Sequence, residues 1–138
     1  MAYNHLFLDS DVLLDWLLQR EPFSSYTQRM INEAMGRGIL ISTSVLIIAN
    51  THYIIAKHTS AANAKQNVRI LIKLINVLPF ESDIINLAID SSFADFEDSI
   101  QYNIANRFNC DAIITRNIKD YKRSNLSVLT AEQFLRQL

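Results

Sequence analysis

"LFLDSDVLLD", residues 6–15, sets three carboxylates, Asp9, Asp11 and Asp15, into an otherwise apolar run. A carboxylate withdrawn from water is costly unless it is hydrogen-bonded, paired or bound to a cation. The apolar residues before Asp9 suit a short buried strand over residues 5–9. Those after it, Val12, Leu13, Trp16 and Leu17, recur at helical spacing and predict a helix over residues 12–20, which Glu21-Pro22 ends. A buried strand leading through an acid into a helix is the start of a parallel α/β unit.

The same alternation continues along the chain. A second helix is predicted over residues 24–37, with Tyr26, Met30, Ile31 and Ala34 on one face and Gly36 and Gly38 at its end. A strand at residues 39–41 feeds Ser42, Thr43 and Ser44, which offer a cap to a helix reaching about residue 57. Residues 61–76 carry Val68, Leu71, Ile72 and Ile75 at helical spacing, and residues 77–80 form a third strand. Helices follow from Glu81-Ser82-Asp83 and over residues 98–108. Strands are predicted at 112–114 and 126–129, and Thr130 with Gln133 forms a capping box on a final helix. We therefore expect a single domain over residues 1–138, an α/β fold built as a three-layer α/β/α sandwich on a central parallel sheet. In such folds the working crevice lies beyond the C-terminal strand ends. Asp9 ends the first strand and Thr115 the fourth.

Composition narrows the function classes. Hydrophobic residues make up 49% and charged residues 20%, which marks a globular chain rather than a disordered one. A net charge of −1 argues against a broadly basic, nucleic-acid-coating surface but not against a local basic patch. The one cysteine, Cys110, excludes an internal disulfide and a cysteine-rich zinc site, and reads as a small packed residue. His5, His52 and His58 lack metal-ligand spacing. No apolar run is long enough for a membrane span, and no signal peptide precedes the first strand, so a cytoplasmic location is expected.

Two further acidic stretches stand far from the first. "ADFEDSI" carries Asp95, Glu97 and Asp98, with Asp98 expected at the start of a helix. "IITRNIKDY" carries Asp120 just past Thr115, Arg116 and Asn117. If the three stretches converge, their carboxylates repel, and a divalent cation is the simplest remedy. Carboxylate and amide oxygens are hard ligands that suit Mg²⁺ or Mn²⁺ rather than zinc. Such ions can clamp a phosphodiester and activate water beside it. Lys119, Lys122 and Arg123 form a small basic loop next to Asp120, suited to a nucleic-acid backbone. Arg116 has two readings, a phosphate contact or a salt bridge.

These stretches resemble the PIN-domain family, metal-dependent ribonucleases that include the VapC-type toxins of toxin–antitoxin pairs. The resemblance rests on "FLDSDVLLD", on "FEDSIQYNIANRFNCDAIITRNIKDY" and on "VLTAEQFL", and it spans almost the whole chain. It implies an endoribonuclease in which Asp9, Asp98 and Asp120 hold Mg²⁺ or Mn²⁺ and cation-activated water cuts RNA without a covalent intermediate. It also implies Thr115 as the strand-end hydroxyl, Asn117 in the polar position two residues on, and Asn50 where the family carries a glutamate. Arg116 and Lys119 would face the substrate, with Asp11 and Glu97 as supporting acids. Two amides in place of acids imply weaker metal binding than a five-acid site would give. A cognate antitoxin is the implied partner. Surplus apolar residues on the first two helices, Trp16, Phe23, Tyr26 and Met30, would supply its groove or a homodimer face.

Two alternatives stand beside this reading. One is a PIN-like domain that binds RNA or protein with little or no cleavage. The other is a HAD-type phosphatase, whose strand-D-x-D start the first stretch also resembles, with Asp9 as nucleophile and Asp11 as acid.

Overall fold

The computed structural model describes residues 3–138. Five parallel strands form one sheet in the order β3-β2-β1-β4-β5. They are β1 (His5–Leu8), β2 (Leu40–Ser44), β3 (Asn76–Leu78), β4 (Ala112–Ile114) and β5 (Ser127–Leu129). Among the described residues, seven α-helices accompany the sheet: α1 (Ser10–Leu17), α2 (Phe23–Gly36), α3 (Val45–His58), α4 (Ala61–Leu74), α5 (Asp83–Ile89), α6 (Phe96–Arg107) and α7 (Ala131–Arg136). The expected α/β architecture is the one the chain adopts.

β1 occupies the middle of the sheet because all four of its residues are buried. A strand covered on both faces reads as a continuous apolar run. Its neighbours are β2, which follows it in sequence, and β4, which arrives about a hundred residues later. The order therefore reverses between β1 and β4. That reversal opens a crevice at the strand ends, the place where open α/β sheets bind ligands. The register sets Leu8 beside Ile114 and Ile114 beside Leu129, so residues 9 and 115 leave the sheet side by side. One backbone bond seals the junction, from the Asp9 N–H to the Ile114 carbonyl at 3.0 Å.

Several boundaries differ from expectation for local reasons. α1 begins at Ser10 because the Asp9 side chain caps it, accepting from the Ser10 N–H at 2.8 Å. It ends three residues before Arg20, and Gln19 adopts a positive φ of 54° just beyond it. α6 starts at Phe96, since Asp95 and not Asp98 is its cap; the Asp95 carboxylate accepts from the Asp98 N–H at 2.9 Å. Asp98 thus sits inside the first turn. The Ser44 cap on α3 and the Thr130–Gln133 capping box on α7 occur as expected. Cys110 is buried in the main core. Met30 is fully buried and belongs to the core, so it supplies no partner surface; of the four residues considered for one, Phe23 is the most open, at 39% exposure. Among the described residues, no helix is long and apolar enough to cross a membrane.

Candidate active site

The site is assembled where β1 and β4 end. Asp9 is nearly buried, and both its oxygens are engaged. Oδ1 caps α1, while Oδ2 accepts from the Thr115 hydroxyl at 3.0 Å and from the Tyr121 hydroxyl at 3.1 Å. Asp11, in the first turn of α1, lies against the segment leaving β4. It accepts from the Arg116 N–H at 2.9 Å, from the Thr115 hydroxyl at 3.2 Å and from the Asn117 side-chain amide at 3.2 Å. The Asn117 N–H donates in turn to the Thr115 Oγ1 at 3.1 Å. Residues 115–117 therefore hold two carboxylates with three donor groups, the Thr115 hydroxyl, the Arg116 N–H and the Asn117 side-chain amide.

Asp98 enters from the first turn of α6. Burial pushes its carboxyl up to about 7, and the negative charges of Asp95, Asp9, Asp120 and Glu97 push the same way. Asp9 is raised to about 6, by burial first and then by Asp11, even though its three hydrogen bonds favour the charged form. Burial also raises Asp11, against the pull of the Arg116 N–H and guanidinium. Burial is the larger cause for both Asp9 and Asp98, and the like charges around them add to it. The sequence-predicted acids Asp9, Asp98 and Asp120 thus share one field.

Asp120 lies on an exposed 3₁₀ turn, Ile118–Tyr121, and borders a cleft of about 380 Å³ together with Asp95, Asp98 and Phe93. The basic residues Lys119, Lys122 and Arg123 line the same cleft. Acid and base therefore face one open space. Phe93 is braced behind it by Tyr102, with ring centroids 5.0 Å apart, and by the edge of Tyr121 at 6.1 Å.

The donor set fits a hard cation in chemistry, since it consists of carboxylate oxygens with neutral hydroxyl and amide neighbours. Among the described residues no three His, Cys, Asp or Glu side chains close into a ready cage. The three-acid cage expected from the sequence is therefore open: Asp120 stands on an exposed turn rather than on the buried rim. Such an open set suits a hard divalent cation that keeps several of its waters.

Other expected residues fall differently. Arg116 does not point into the cleft. Its guanidinium is bound to Asp15, with Nε to Oδ2 at 2.6 Å, and lies over the Phe23 ring at 4.2 Å. The salt-bridge reading holds, and its hydrogen bond to Asp11 comes from the backbone N–H. Asn50 is half-buried on α3, and among the described residues no hydrogen bond joins it to Asp9, Asp11 or Asp98. Tyr121 was not singled out from the sequence, yet it is 1% exposed and holds Asp9. Burial and the nearby carboxylates raise its hydroxyl, so it remains a donor. Its signal was a lone aromatic between Asp120 and Lys122: such a ring tends to bury and its hydroxyl needs a partner.

Comparison with known proteins identifies the family and the fold. A family model described as PIN domain matches residues 5–119. The chain is 25% identical over 139 residues to Ribonuclease VapC1 of Aquifex aeolicus (strain VF5), covering 97% of this chain and 95% of that protein. Its fold is similar to that of FitAcB from Neisseria gonorrhoeae, with a TM-score of 0.71 at 13% identity over 92% of this chain and 98% of that one. It is also similar to VapBC-1 from nontypeable Haemophilus influenzae, with a TM-score of 0.69 at 16% identity over 93% and 98%.

Proposed function

From the premise that this chain belongs to the PIN-domain family, we propose that it is a divalent-metal-dependent endoribonuclease, the toxin of a toxin–antitoxin pair. The observation that carries the reading is the cleft that Asp98 and Asp120 line together with the basic Lys119, Lys122 and Arg123, within the field of the buried Asp9.

Asp9 and Asp98 would hold the cation, with Asp120 as a further oxygen ligand from the 3₁₀ turn. A bound Mg²⁺ or Mn²⁺ would polarise a phosphodiester oxygen and lower the pKa of a water. Thr115 and Tyr121 fix the Asp9 carboxylate and keep its orientation. Asn117 ties Asp11 to the strand end. Lys119, Lys122 and Arg123 would take phosphates that flank the scissile one. Arg116 is left out of substrate binding, because Asp15 occupies its guanidinium. Asn50 would stand at the rim as a neutral neighbour.

An antitoxin is the proposed partner. A fold neighbour from Klebsiella pneumoniae is described as a toxin–antitoxin complex, and a recess between α1, α2 and α7 presents Phe23 and Tyr26 to an apolar side chain. A binding-only domain is the second reading, favoured by the amides at Asn50 and Asn117. The phosphatase alternative loses support: α1 begins directly after Asp9, which leaves no room for a flap, and the Thr115 hydroxyl and Arg116 N–H hold Asp11.

Cleavage of structured and single-stranded RNA by the purified full chain tests the proposal. With Mg²⁺ or Mn²⁺ present, cleavage is expected, and it should stop on chelation. Asp9→Asn should lower the rate by a factor on the order of 100 or more, because it removes a direct ligand. Cleavage that survives chelation, or an Asp9→Asn protein as active as the parent, would overturn it. Metal binding without cleavage would favour the second reading.

A further inference from the structure

The buried charge that the nuclease reading leaves unused is Asp15. It is 1% exposed and lies one turn beyond Asp11 on α1. Two arginines meet it: Arg20 through Nε at 2.9 Å, and Arg116 through Nε at 2.6 Å and Nη2 at 3.1 Å. A paired bond from one guanidinium to one carboxylate fixes orientation as well as distance. The Phe23 ring closes the other side of the Arg116 guanidinium, at 4.2 Å.

Arg116 is thereby tied to α1 at both ends. Its side chain holds Asp15, and its N–H holds Asp11 at 2.9 Å. On either side of it, the Thr115 hydroxyl reaches Asp9 and the Asn117 amide reaches Asp11. We infer that Asp15 and Arg116 are positioning residues, an ion pair beneath the site that clamps segment 115–117 onto α1 and so fixes Asp9 and Asp11 for the cation. The inference rests on the nuclease reading. Arg20 serves as its internal control, because it neutralises Asp15 but makes no bond to residues 115–117.

Mn²⁺ titration of the full-length protein without RNA, followed by calorimetry, tests it alongside thermal melts and the KM and kcat for RNA cleavage. The variants are Arg116→Met, Arg116→Lys, Asp15→Asn and Arg20→Met. Arg116→Met keeps the stem over Phe23, and Arg116→Lys keeps the charge but loses the fork. Both are expected to weaken Mn²⁺ binding about tenfold, the scale of losing an outer contact to a metal ligand. Both should lower kcat with KM little changed. Arg20→Met should lower the melting temperature yet leave Mn²⁺ affinity within about twofold of the parent, well inside that scale. Should Asp15→Asn fail to fold, the two Arg116 variants still decide the matter. If they bind Mn²⁺ as the parent does, or if Arg20→Met weakens binding as much as they do, the clamp is overturned while the nuclease reading stands. A parent protein that binds no Mn²⁺ overturns both.

Discussion

The Thr115 hydroxyl lies 3.0 Å from Oδ2 of Asp9 and 3.2 Å from Oδ2 of Asp11. A hydroxyl carries one proton, so it can donate to only one of the two carboxylates at a time. The other must lean on its remaining donors: Ser10 and Tyr121 for Asp9, Arg116 and Asn117 for Asp11. Thr115→Val, which keeps the shape and removes the donor, should therefore push both acids further toward protonation. The pH–rate profile is expected to move to higher pH, and Thr115→Ser should restore it. Stability should fall by about 1–3 kcal/mol, the cost of a buried group left short of a partner. A valine variant with the parent profile would remove Thr115 from the site.

Tyr121→Phe isolates the second donor to Asp9. The ring stays packed and only the hydroxyl is lost. Activity is expected to drop about tenfold, with the loss in kcat. Circular dichroism should show the fold unchanged. An unchanged kcat would mean that the phenol merely fills space.

The raised carboxyls make metal binding and stability depend on pH in a definite direction. Asp9 is held at about 6 and Asp98 at about 7, against an ordinary 3.8. Between about pH 4 and 7 the folded chain keeps protons that the unfolded chain has released, so the metal-free fold loses stability as pH rises through that window. For Asp9 the loss is ~3 kcal/mol at most. His5 works the other way: burial lowers it, and its contribution is lost as pH falls below 6.5. Mn²⁺ should therefore raise the melting temperature strongly at pH 8 and hardly at pH 5, where Asp9 and Asp98 hold their protons. Equal shifts at both values would contradict this, as would an Asp98→Asn protein that keeps the full pH 8 shift.

Asn117→Asp tests what the amide does. The Asn117 Nδ2 donates to Asp11 at 3.2 Å, and a carboxylate there has no proton to give. The metal-free variant should melt at a lower temperature than the parent, and Mn²⁺ should bind more tightly and repair the loss. A variant as stable as the parent without metal would show that this contact contributes little.

Salt dependence reads the basic wall of the cleft. Each phosphate contact made by Lys119, Lys122 or Arg123 releases counterions from a single strand, worth about 0.7 in the slope of log K against log salt. Replacing any one with alanine in the Asp9→Asn background should reduce the slope by about that amount. No change in slope would place the RNA elsewhere.

Much of this was legible from the sequence, because the strongest signals were apolar runs ending in acids. β1 and β4 are short and wholly buried, and their ends named Asp9 and Thr115 directly. What was not legible depends on side-chain direction across the fold. The start of α6 was misplaced because Asp95 and Asp98 are both acceptable near a helix start, and only the backbone distinguishes cap from first turn. Arg116 could have faced either way; Asp15, a hundred residues earlier, decides it. Tyr121 sits in a charged loop without periodicity, so its burial against Asp9 becomes visible only when β1 and β4 are paired.

That pairing has a temporal consequence. Asp9 leaves the ribosome well before the hydroxyls that steady it, which belong to residues 106 and 112 positions further on. Until β4 is made, one side of β1 has no neighbour and the acid has neither Thr115 nor Tyr121. A growing chain thus cannot complete the surroundings of Asp9 until β4 and the Ile118–Tyr121 turn have both been made.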